Sequence, residues 1–261
     1  MGETVCVIKI GGAELADGPV LDRLVGLLGT LHSSSPVALV HGGGPEIASL
    51  QRRLGLEPRY VDGLRITDDK GLAVAEMVLS GAINKRLVAR LVATGTPAIG
   101  LSGVDGGLFR AKPLTHGRID LGRVGQIEHV DVSYIKLVLG QGLLPVISPI
   151  SLGSDGRALN VNADHAALAL ARALCAQELA FVTDTPGVMQ DGHVIAEIHE
   201  DLAESLILEG VITGGMVPKV RSALEALDAG VGRVRITNLD GLAAEGGTLI
   251  RANIQDQGEM A

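Results

Sequence analysis

Residues 5–12, with the sequence VCVIKIGG, constrain the fold more than any other part of the chain. Apolar, mostly β-branched residues flank a single lysine, a pattern typical of a strand buried on both faces of a parallel sheet. A lysine is seldom buried without a partner, because its charge is costly to remove from water. We therefore expect Lys9 to face an anion-binding cleft beside the backbone N–H groups of Gly11 and Gly12. A lysine that extends from a strand end into solvent next to an ordinary turn explains this stretch equally well.

The composition indicates a globular protein with a substantial core. The 261 residues suffice for one large α/β domain or two closely joined lobes, and 46% of them are hydrophobic. No apolar run approaches the ~18 residues of a membrane span, and the first strand begins too early for a targeting peptide. Cys6 and Cys175 lie in apolar segments and are predicted to be buried thiols. A net charge of -8 and 2% aromatic residues argue against nucleic-acid binding. We expect a cytoplasmic protein without membrane or nucleic-acid partners.

A second apolar strand, residues 37–40, runs directly into the sequence HGGGP. Pro45 suits the first turn of a helix, and Ile47, Leu50 and Leu54 repeat on one face of it. A strand, a triple-glycine loop and a helix N-terminus in this order present free N–H groups and the positive end of a helix dipole. Three glycines are costly in conformational entropy if they only make a turn, so the sequence favours an anion site here.

Strands and helices alternate along the rest of the chain. A long helix is predicted over residues 68–94, and the glycine-containing residues 108–130 are predicted to form one or two hairpins outside the main sheet. This alternation predicts a largely parallel sheet between helix layers, with ligands bound beyond the carboxyl ends of the strands. The other predicted strands cover residues 98–101, 143–148, 179–183, 234–237 and 248–250.

Two polar segments are candidates for ligand contacts. Arg65 precedes the long helix, and its position alone does not distinguish a carboxylate-binding fork from a surface arginine. Asn160 and Asn162 point the same way if their segment is extended. Asp164 is predicted to open the alanine-rich helix that follows, and a capping role would explain it sufficiently, at ~1 kcal/mol.

The standard phosphate-binding signatures GxxxxGK[ST] and GxGxxG after a strand do not occur. Six other motifs occur in this order: KIGG, VHGGGP, GLRITD, NVNAD, TDTPGV and GGMVPK. Together they resemble the amino acid kinase family over practically the whole chain. KIGG and TDxxG are shared widely in that family, whereas the combination of HGGG, GLRxT and NxNAD resembles the branch that phosphorylates N-acetyl-L-glutamate.

The resemblance implies an α/β fold, a three-layer open sandwich with a largely parallel central sheet of about eight strands. It places the acyl acceptor in an N-terminal lobe, residues 1–176, and ATP in a C-terminal lobe, residues 177–261. It also implies a homodimer. Family members that are inhibited by arginine resemble one another in an extra N-terminal helix. The eight residues before Lys9 are too few to form such a helix. We therefore expect the activity to be insensitive to arginine.

The resemblance also implies roles for individual residues. Lys9 and Lys219 would stabilise the transferring phosphoryl group, and Asp164 would hold both lysines. The acceptor would be bound by Gly43, Gly44, Arg65 and Asn160. The nucleotide would be bound by Gly11, Gly12, Asp184, Thr185, Pro186, Gly187, Val188, Met189, Val211, Ile212 and Thr213. No protein ligand to a metal is expected.

The implied reaction is phosphoryl transfer from ATP to the side-chain carboxylate of N-acetyl-L-glutamate, in arginine biosynthesis. That carboxylate, with a pKa near ~4.3, is already ionised at neutral pH and needs no general base. Mg²⁺ would arrive with ATP, held mainly by phosphate oxygens and water. Two alternatives stay open: a kinase for carrier-bound α-aminoadipate in lysine biosynthesis, and a non-catalytic sensor of amino acids or nucleotides on the same fold.

Overall fold

The structure is a computed structural model that describes residues 5–251. Residues 1–4 and 252–261 lie outside the described residues. The outer ends of the two predicted lobes and the predicted absence of an N-terminal helix fall on these residues. The strands are β1 (Cys6–Ile10), β2 (Val37–His41), β3 (Arg59–Val61), β4 (Leu64–Ile66), β5 (Ala98–Gly103), β6 (Phe109–Pro113), β7 (Val124–Val130), β8 (Leu144–Gly153), β9 (Ala158–Val161), β10 (Glu178–Val182), β11 (Met189–Gln190), β12 (His193–Val194), β13 (Glu197–His199), β14 (Arg233–Thr237) and β15 (Thr248–Arg251).

Helices connect most of these strands. They are α1 (Pro19–Ser34), α2 (Gly44–Arg53), α3 (Asp69–Glu76), α4 (Asn84–Ala93), α5 (Ser133–Gly140), α6 (Ala163–Leu174), α7 (Glu200–Leu208), α8 (Met216–Asp228) and α9 (Leu239–Ala243). Short 3₁₀ turns cover Ala13–Leu15 and Asp105–Gly107. In the described range, no helix is long and apolar enough to cross a membrane.

The main sheet is largely parallel, and β1 lies near its centre between β10 and β2. Its strands run in the order β13-β15-β14-β10-β1-β2-β8-β6-β7-β9, with β5 also paired to β8. The parallel pairing of β1, β2 and β10 brings the loops after their carboxyl ends to one edge of the sheet. The first glycine pair, the triple glycine and the TDTPG segment all follow these ends.

Apolar side chains alternate between the two faces of the sheet and build two cores. Val7 and Val40 face a core shared with α5, α6, α7 and α8. Ile8 and Leu39 face a second core shared with α1, α3, α4 and α9. Helices therefore cover both faces, which gives the three layers that were predicted.

Within the described residues the sheet is larger than predicted, with eleven strands in place of about eight. The placement of residues 108–130 outside the main sheet was wrong, because β6 pairs in parallel with β8 and antiparallel with β7. The reason is the length of β8, whose ten residues extend beyond the predicted segment and offer a second stretch for pairing. β8 and β9 form an antiparallel hairpin.

The long helix predicted over residues 68–94 contains an irregular segment. Asp68 caps it, since its side chain accepts a hydrogen bond from the Gly71 N–H at 2.7 Å. Between α3 and α4, Met77–Ile83 is π-helical. Such widened turns inside α-helices frequently lie at functional sites, and this one contacts the triple-glycine loop.

The prediction that both cysteines are buried was wrong for Cys175, which is exposed. Cys175 ends α6 in a left-handed conformation, with φ at 51°, and such a terminating position faces solvent more often than core. Cys6 is only partly exposed, and its burial raises the pKa of the thiol to about 12, with the Glu178 carboxylate adding to the effect.

Candidate active site

A cleft of about 270 Å³ opens at the carboxyl ends of β1 and β2. It brings together seven of the residues predicted to act in catalysis or binding. These are Lys9, Gly12, Gly43, Gly44, Arg65, Asn160 and Asp164.

Asp164 joins the two predicted catalytic lysines. Lys9 Nζ lies 2.8 Å from Oδ1 of Asp164, and Lys219 Nζ lies 3.4 Å from Oδ2. Each residue comes from a different element: Lys9 from β1, Asp164 from the first turn of α6, and Lys219 from the first turns of α8. Because Lys9 follows Val7 on the face covered by α6 and α8, strand alternation directs it toward both helices.

The carboxyl group of Asp164 remains charged in this environment. Burial favours its neutral form, but the opposing charges of Lys9 and Lys219, and hydrogen bonds from both, hold its pKa below the usual range. The side chains are 9%, 15% and 20% exposed for Lys9, Asp164 and Lys219. The result is a desolvated site with two ammonium groups and one carboxylate, so it has one surplus positive charge.

The alternative explanation of Asp164, as the cap of α6, does not hold. Asn162 is the capping residue, and its side-chain oxygen accepts a hydrogen bond from the Asp164 N–H at 2.7 Å. The Asp164 carboxylate is thereby left for the lysines. Asn162 itself lines the cleft.

Arg65 is held in place by several contacts at the edge of the cleft. Its Nη1 donates to Oε1 of Gln51 at 2.6 Å, and its Nη2 donates to the carbonyl oxygen of Gly44 at 2.8 Å. The guanidinium also lies over the ring of Tyr60, 4.7 Å from its centroid. A guanidinium has five N–H donors, so donors remain for a carboxylate in the cleft.

The remaining acceptor candidates surround the same space. Asn160, in β9, donates through Nδ2 to the Thr67 hydroxyl at 3.2 Å, which orients its amide. Gly44 begins α2, where backbone N–H groups have no intrahelical acceptor. A Cβ on Gly44 would lie 3.9 Å from Nη2 of Arg65, so this glycine and Arg65 border the same space.

Apart from Gly11 and Gly12, which follow β1, the predicted nucleotide residues lie away from the lining of this cleft, at residues 184–189 after β10 and 211–213 before α8. The side chains of Val188 and Ile212 are buried in the core, so only their backbone can contact a ligand. Pro186 borders a second hollow of about 550 Å³. The Thr185 hydroxyl is buried and has no hydrogen-bond partner among the described residues. Burying a hydroxyl group without a hydrogen bond costs free energy. A ligand bound in this loop would supply the missing hydrogen-bond partner.

Two residues that shape the cleft were not predicted from the sequence. Gln51 is buried and orients Arg65. The sequence feature that could have identified it is a polar residue four positions after Ile47, on the apolar face of α2. Tyr60 stacks on Arg65 from the neighbouring strand β3. No sequence spacing identified that contact, because β3 and β4 are only three residues long.

The cleft holds two ammonium groups on one carboxylate, beside glycine loops at the carboxyl ends of parallel strands. This arrangement is suited to binding an anionic group while it is transferred from one substrate to another. The sequence profile of the amino acid kinase family matches residues 4–238. The chain belongs to this family, which confirms the resemblance seen in the motifs.

Curated relatives are similar over nearly their whole length. An acetylglutamate kinase of Roseiflexus sp. (strain RS-1) is 50% identical over 244 residues, which cover 94% of this chain and 92% of the relative. An acetylglutamate kinase of Methanopyrus kandleri is 44% identical over 253 residues, which cover 94% of this chain and 99% of the relative.

A solved structure has a similar fold. It is an N-acetylglutamate synthase from Neisseria gonorrhoeae, complexed with coenzyme A and N-acetyl-glutamate. The TM-score is 0.84 at 27% sequence identity, and the match covers 95% of this chain and 59% of the synthase.

Proposed function

We propose that this protein is an acetylglutamate kinase. It transfers the γ-phosphoryl group of ATP to the side-chain carboxylate of N-acetyl-L-glutamate, and forms N-acetyl-L-glutamyl 5-phosphate and ADP in arginine biosynthesis. The proposal is supported by relatives of that name at 44–50% identity and by the contact of one carboxylate with two lysines in the cleft. The proposed mechanism depends on this contact of Asp164 with Lys9 and Lys219.

The chemical problem is electrostatic, because an anionic carboxylate must attack a polyanionic nucleotide. During transfer a carboxylate oxygen forms a bond to the γ-phosphorus while the bond from that phosphorus to the β,γ-bridging oxygen breaks. Negative charge spreads over the three equatorial oxygens of the phosphoryl group. Lys9 and Lys219 neutralise this charge from two sides, and Asp164 keeps both ammonium groups oriented before the substrates arrive.

The acceptor is held at the other end of the cleft. Arg65 binds a carboxylate of N-acetyl-L-glutamate through its remaining donors, with Asn160 and the N–H groups of Gly43 and Gly44 beside it. No residue need remove a proton, because the attacking carboxylate is ionised at neutral pH. Catalysis therefore depends on alignment and charge stabilisation.

The nucleotide is bound mainly by the C-terminal half of the chain. Residues 184–189 and 211–213 contact ATP, while the N–H groups of Gly11 and Gly12 contact its phosphates. Mg²⁺ enters as the MgATP complex, held by phosphate oxygens and water. In this proposal the two substrates occupy separate lobes, residues 1–176 and 177–261, of a cytoplasmic homodimer.

A direct test combines ADP release with trapping of the product. Purified protein is given MgATP with N-acetyl-L-glutamate, and hydroxylamine converts the acyl phosphate to a hydroxamate. Free glutamate, aspartate, UMP and α-aminoadipate on its carrier are tested in parallel. We expect hydroxamate and ADP in equal amounts with N-acetyl-L-glutamate alone. Turnover of carrier-bound α-aminoadipate alone would identify the lysine-pathway kinase, and binding of ligands without turnover would identify a sensor.

A further inference from the structure

His41, the last residue of β2, is completely buried next to the triple-glycine loop. Strand alternation puts its side chain on the same face as Val37 and Leu39, against the layer formed by α3, the π-helical segment and α4. Lys9 points from β1 to the opposite face. His41 therefore approaches the loop from the side away from the lysines, and the proposed mechanism does not use it.

Asn84, also completely buried, defines how His41 is bonded. Asn84 Nδ2 lies 2.9 Å from the carbonyl oxygen of Val146 and 3.2 Å from that of Leu101. Only an NH₂ group can donate to two carbonyl oxygens, and Lys85 Nζ lies 3.1 Å from Asn84 Oδ1, in agreement with this orientation. The atom that lies 3.3 Å from His41 Nε2 is therefore the amide nitrogen, which cannot accept a hydrogen bond. Its two protons already face the two carbonyl oxygens, so Nε2 shares one of them and carries no proton of its own.

The tautomer of His41 follows from this arrangement. A neutral imidazole with an unprotonated Nε2 carries its proton on Nδ1, and Nδ1 lies 3.0 Å from the carbonyl oxygen of Gly42, to which it donates. Burial lowers the pKa of His41 to about 4. A second proton, on Nε2, would point at the NH₂ group of Asn84. The site thus accepts only the neutral ring.

Gly42 is held from two directions. Its N–H donates to the carbonyl oxygen of Ile10 at the end of β1, at 3.0 Å, while its own carbonyl oxygen accepts from His41. The next residue, Gly43, packs against the π-helical segment so closely that a Cβ there would lie 2.4 Å from Cδ1 of Ile83. These contacts fix the peptide planes from which the loop presents its N–H groups.

We propose that His41, as the neutral Nδ1–H tautomer supported by Asn84, is a positioning residue that orients the N–H groups of Gly43 and Gly44 toward the acceptor carboxylate. His41 itself touches no substrate. The identity of the acceptor rests on the function proposed above, whereas the tautomer and the loop conformation are properties of the protein alone.

Two substitutions separate positioning from simple packing. His41→Gln supplies a donor and an acceptor in place of the ring nitrogens, while His41→Leu fills space without either hydrogen bond. We expect His41→Leu to raise KM for N-acetyl-L-glutamate by ~10-fold or more with little change in KM for ATP, since small displacements of binding groups are costly. His41→Gln should recover most of that loss. Equal effects on the two KM values, or no better binding in His41→Gln than in His41→Leu, would overturn the proposal. His129→Gln, at an exposed position of β7, is the matched control.

A measurement on the wild-type protein keeps the proposal testable if the variants fold poorly. In ¹⁵N-histidine NMR spectra of the wild type, the His41 ring is assigned through its contact with the side-chain amide of Asn84. We expect a protonated Nδ1 and a bare Nε2 at about pH 7 and still at about pH 5.5. A proton on Nε2 at either pH would overturn the proposal. If the wild type gave this tautomer but failed to phosphorylate N-acetyl-L-glutamate, the proposed function would fall and the assigned tautomer would remain.

Discussion

Lys9 Nζ lies 2.8 Å from Oδ1 of Asp164, and both side chains are almost fully removed from solvent. A buried pair of this kind contributes little net stability, because the cost of desolvating both charges offsets their attraction. Its value is orientation, since an ammonium group already desolvated and aimed into the cleft needs no rearrangement when a phosphoryl group arrives.

Replacement of Asp164 by asparagine tests this role. Because Asn162 already caps α6, Asp164→Asn leaves the cap intact, and we expect kcat to fall by at least ~10²-fold through loss of lysine orientation. The variant should melt at a lower temperature, because Lys9 loses its counterion. MgATP should raise that temperature more than it does in the wild type, since phosphate replaces the carboxylate.

The experiment combines steady-state kinetics with thermal melts at increasing MgATP. Asp191→Asn is the control, an exposed turn residue with φ at 50°, a conformation that asparagine tolerates. Near-normal kcat in Asp164→Asn would show that the carboxylate does not organise the lysines.

The two lysines should act on the rate more than on acceptor binding. Lys9→Ala and Lys219→Ala each remove a charge that stabilises the transferring group, so we expect kcat to fall at least ~10²-fold, with a modest change in KM for N-acetyl-L-glutamate. Lys112→Ala, which breaks an exposed ion pair with Glu128, serves as the control. A lysine whose removal leaves kcat intact has no part in the transfer.

Much of this site could be predicted from the sequence, because some residues allow few environments. Three glycines before a helix indicated an anion site. Lys9 within an apolar strand indicated an anionic partner, with extension into solvent as an equal alternative. The identity of that partner depended on the motif resemblance, since Asp164 lies far from Lys9 in the chain. Capping was the alternative explanation of Asp164, and Asn162 was not recognised in that role, because both are good capping residues and lie two positions apart.

The parts that the sequence did not predict depend on long-range geometry. Nothing in residues 77–83 indicates a π-helical turn, because its apolar spacing resembles that of an α-helix. The size of the sheet was underestimated because β8 continues beyond Ser148, where tertiary pairing with β5, β6 and β9 keeps the chain extended.

Arg65 should control recognition of the acceptor. Arg65→Lys cannot reproduce simultaneous contacts with Gln51, Gly44 and a carboxylate, because an ammonium lacks the planar fork. We expect KM for N-acetyl-L-glutamate to rise by ~10-fold or more, which corresponds to ~1.4 kcal/mol, and KM for ATP to stay almost constant. Titration of each substrate in turn measures both constants, with Arg118→Lys in an exposed loop as control. Equal losses for the two substrates would point to a folding role.

The free energy of unfolding should fall at acid pH because of His41. The pKa of His41 is about 4 in the folded protein, lowered from 6.5 chiefly by burial. Between those pH values the unfolded chain binds more protons, so the free energy of unfolding falls as the pH drops from about 6.5 to about 4, by up to ~3 kcal/mol. The pKa of Asp164 is also lowered in the folded protein. Its contribution to the free energy of unfolding is lost only at lower pH, as the pH falls from its pKa in the unfolded chain toward its lower pKa in the folded protein.

Urea unfolding of the wild type and of His41→Gln at about pH 7, pH 5.5 and pH 4.5 isolates this contribution, because every other titrating group is common to both proteins. We expect the stability advantage of the wild type to shrink steadily as the pH falls, since glutamine cannot accept the proton that disrupts the contacts with Gly42 and Asn84. An advantage that is the same at all three pH values would mean that His41 is not held neutral by its surroundings.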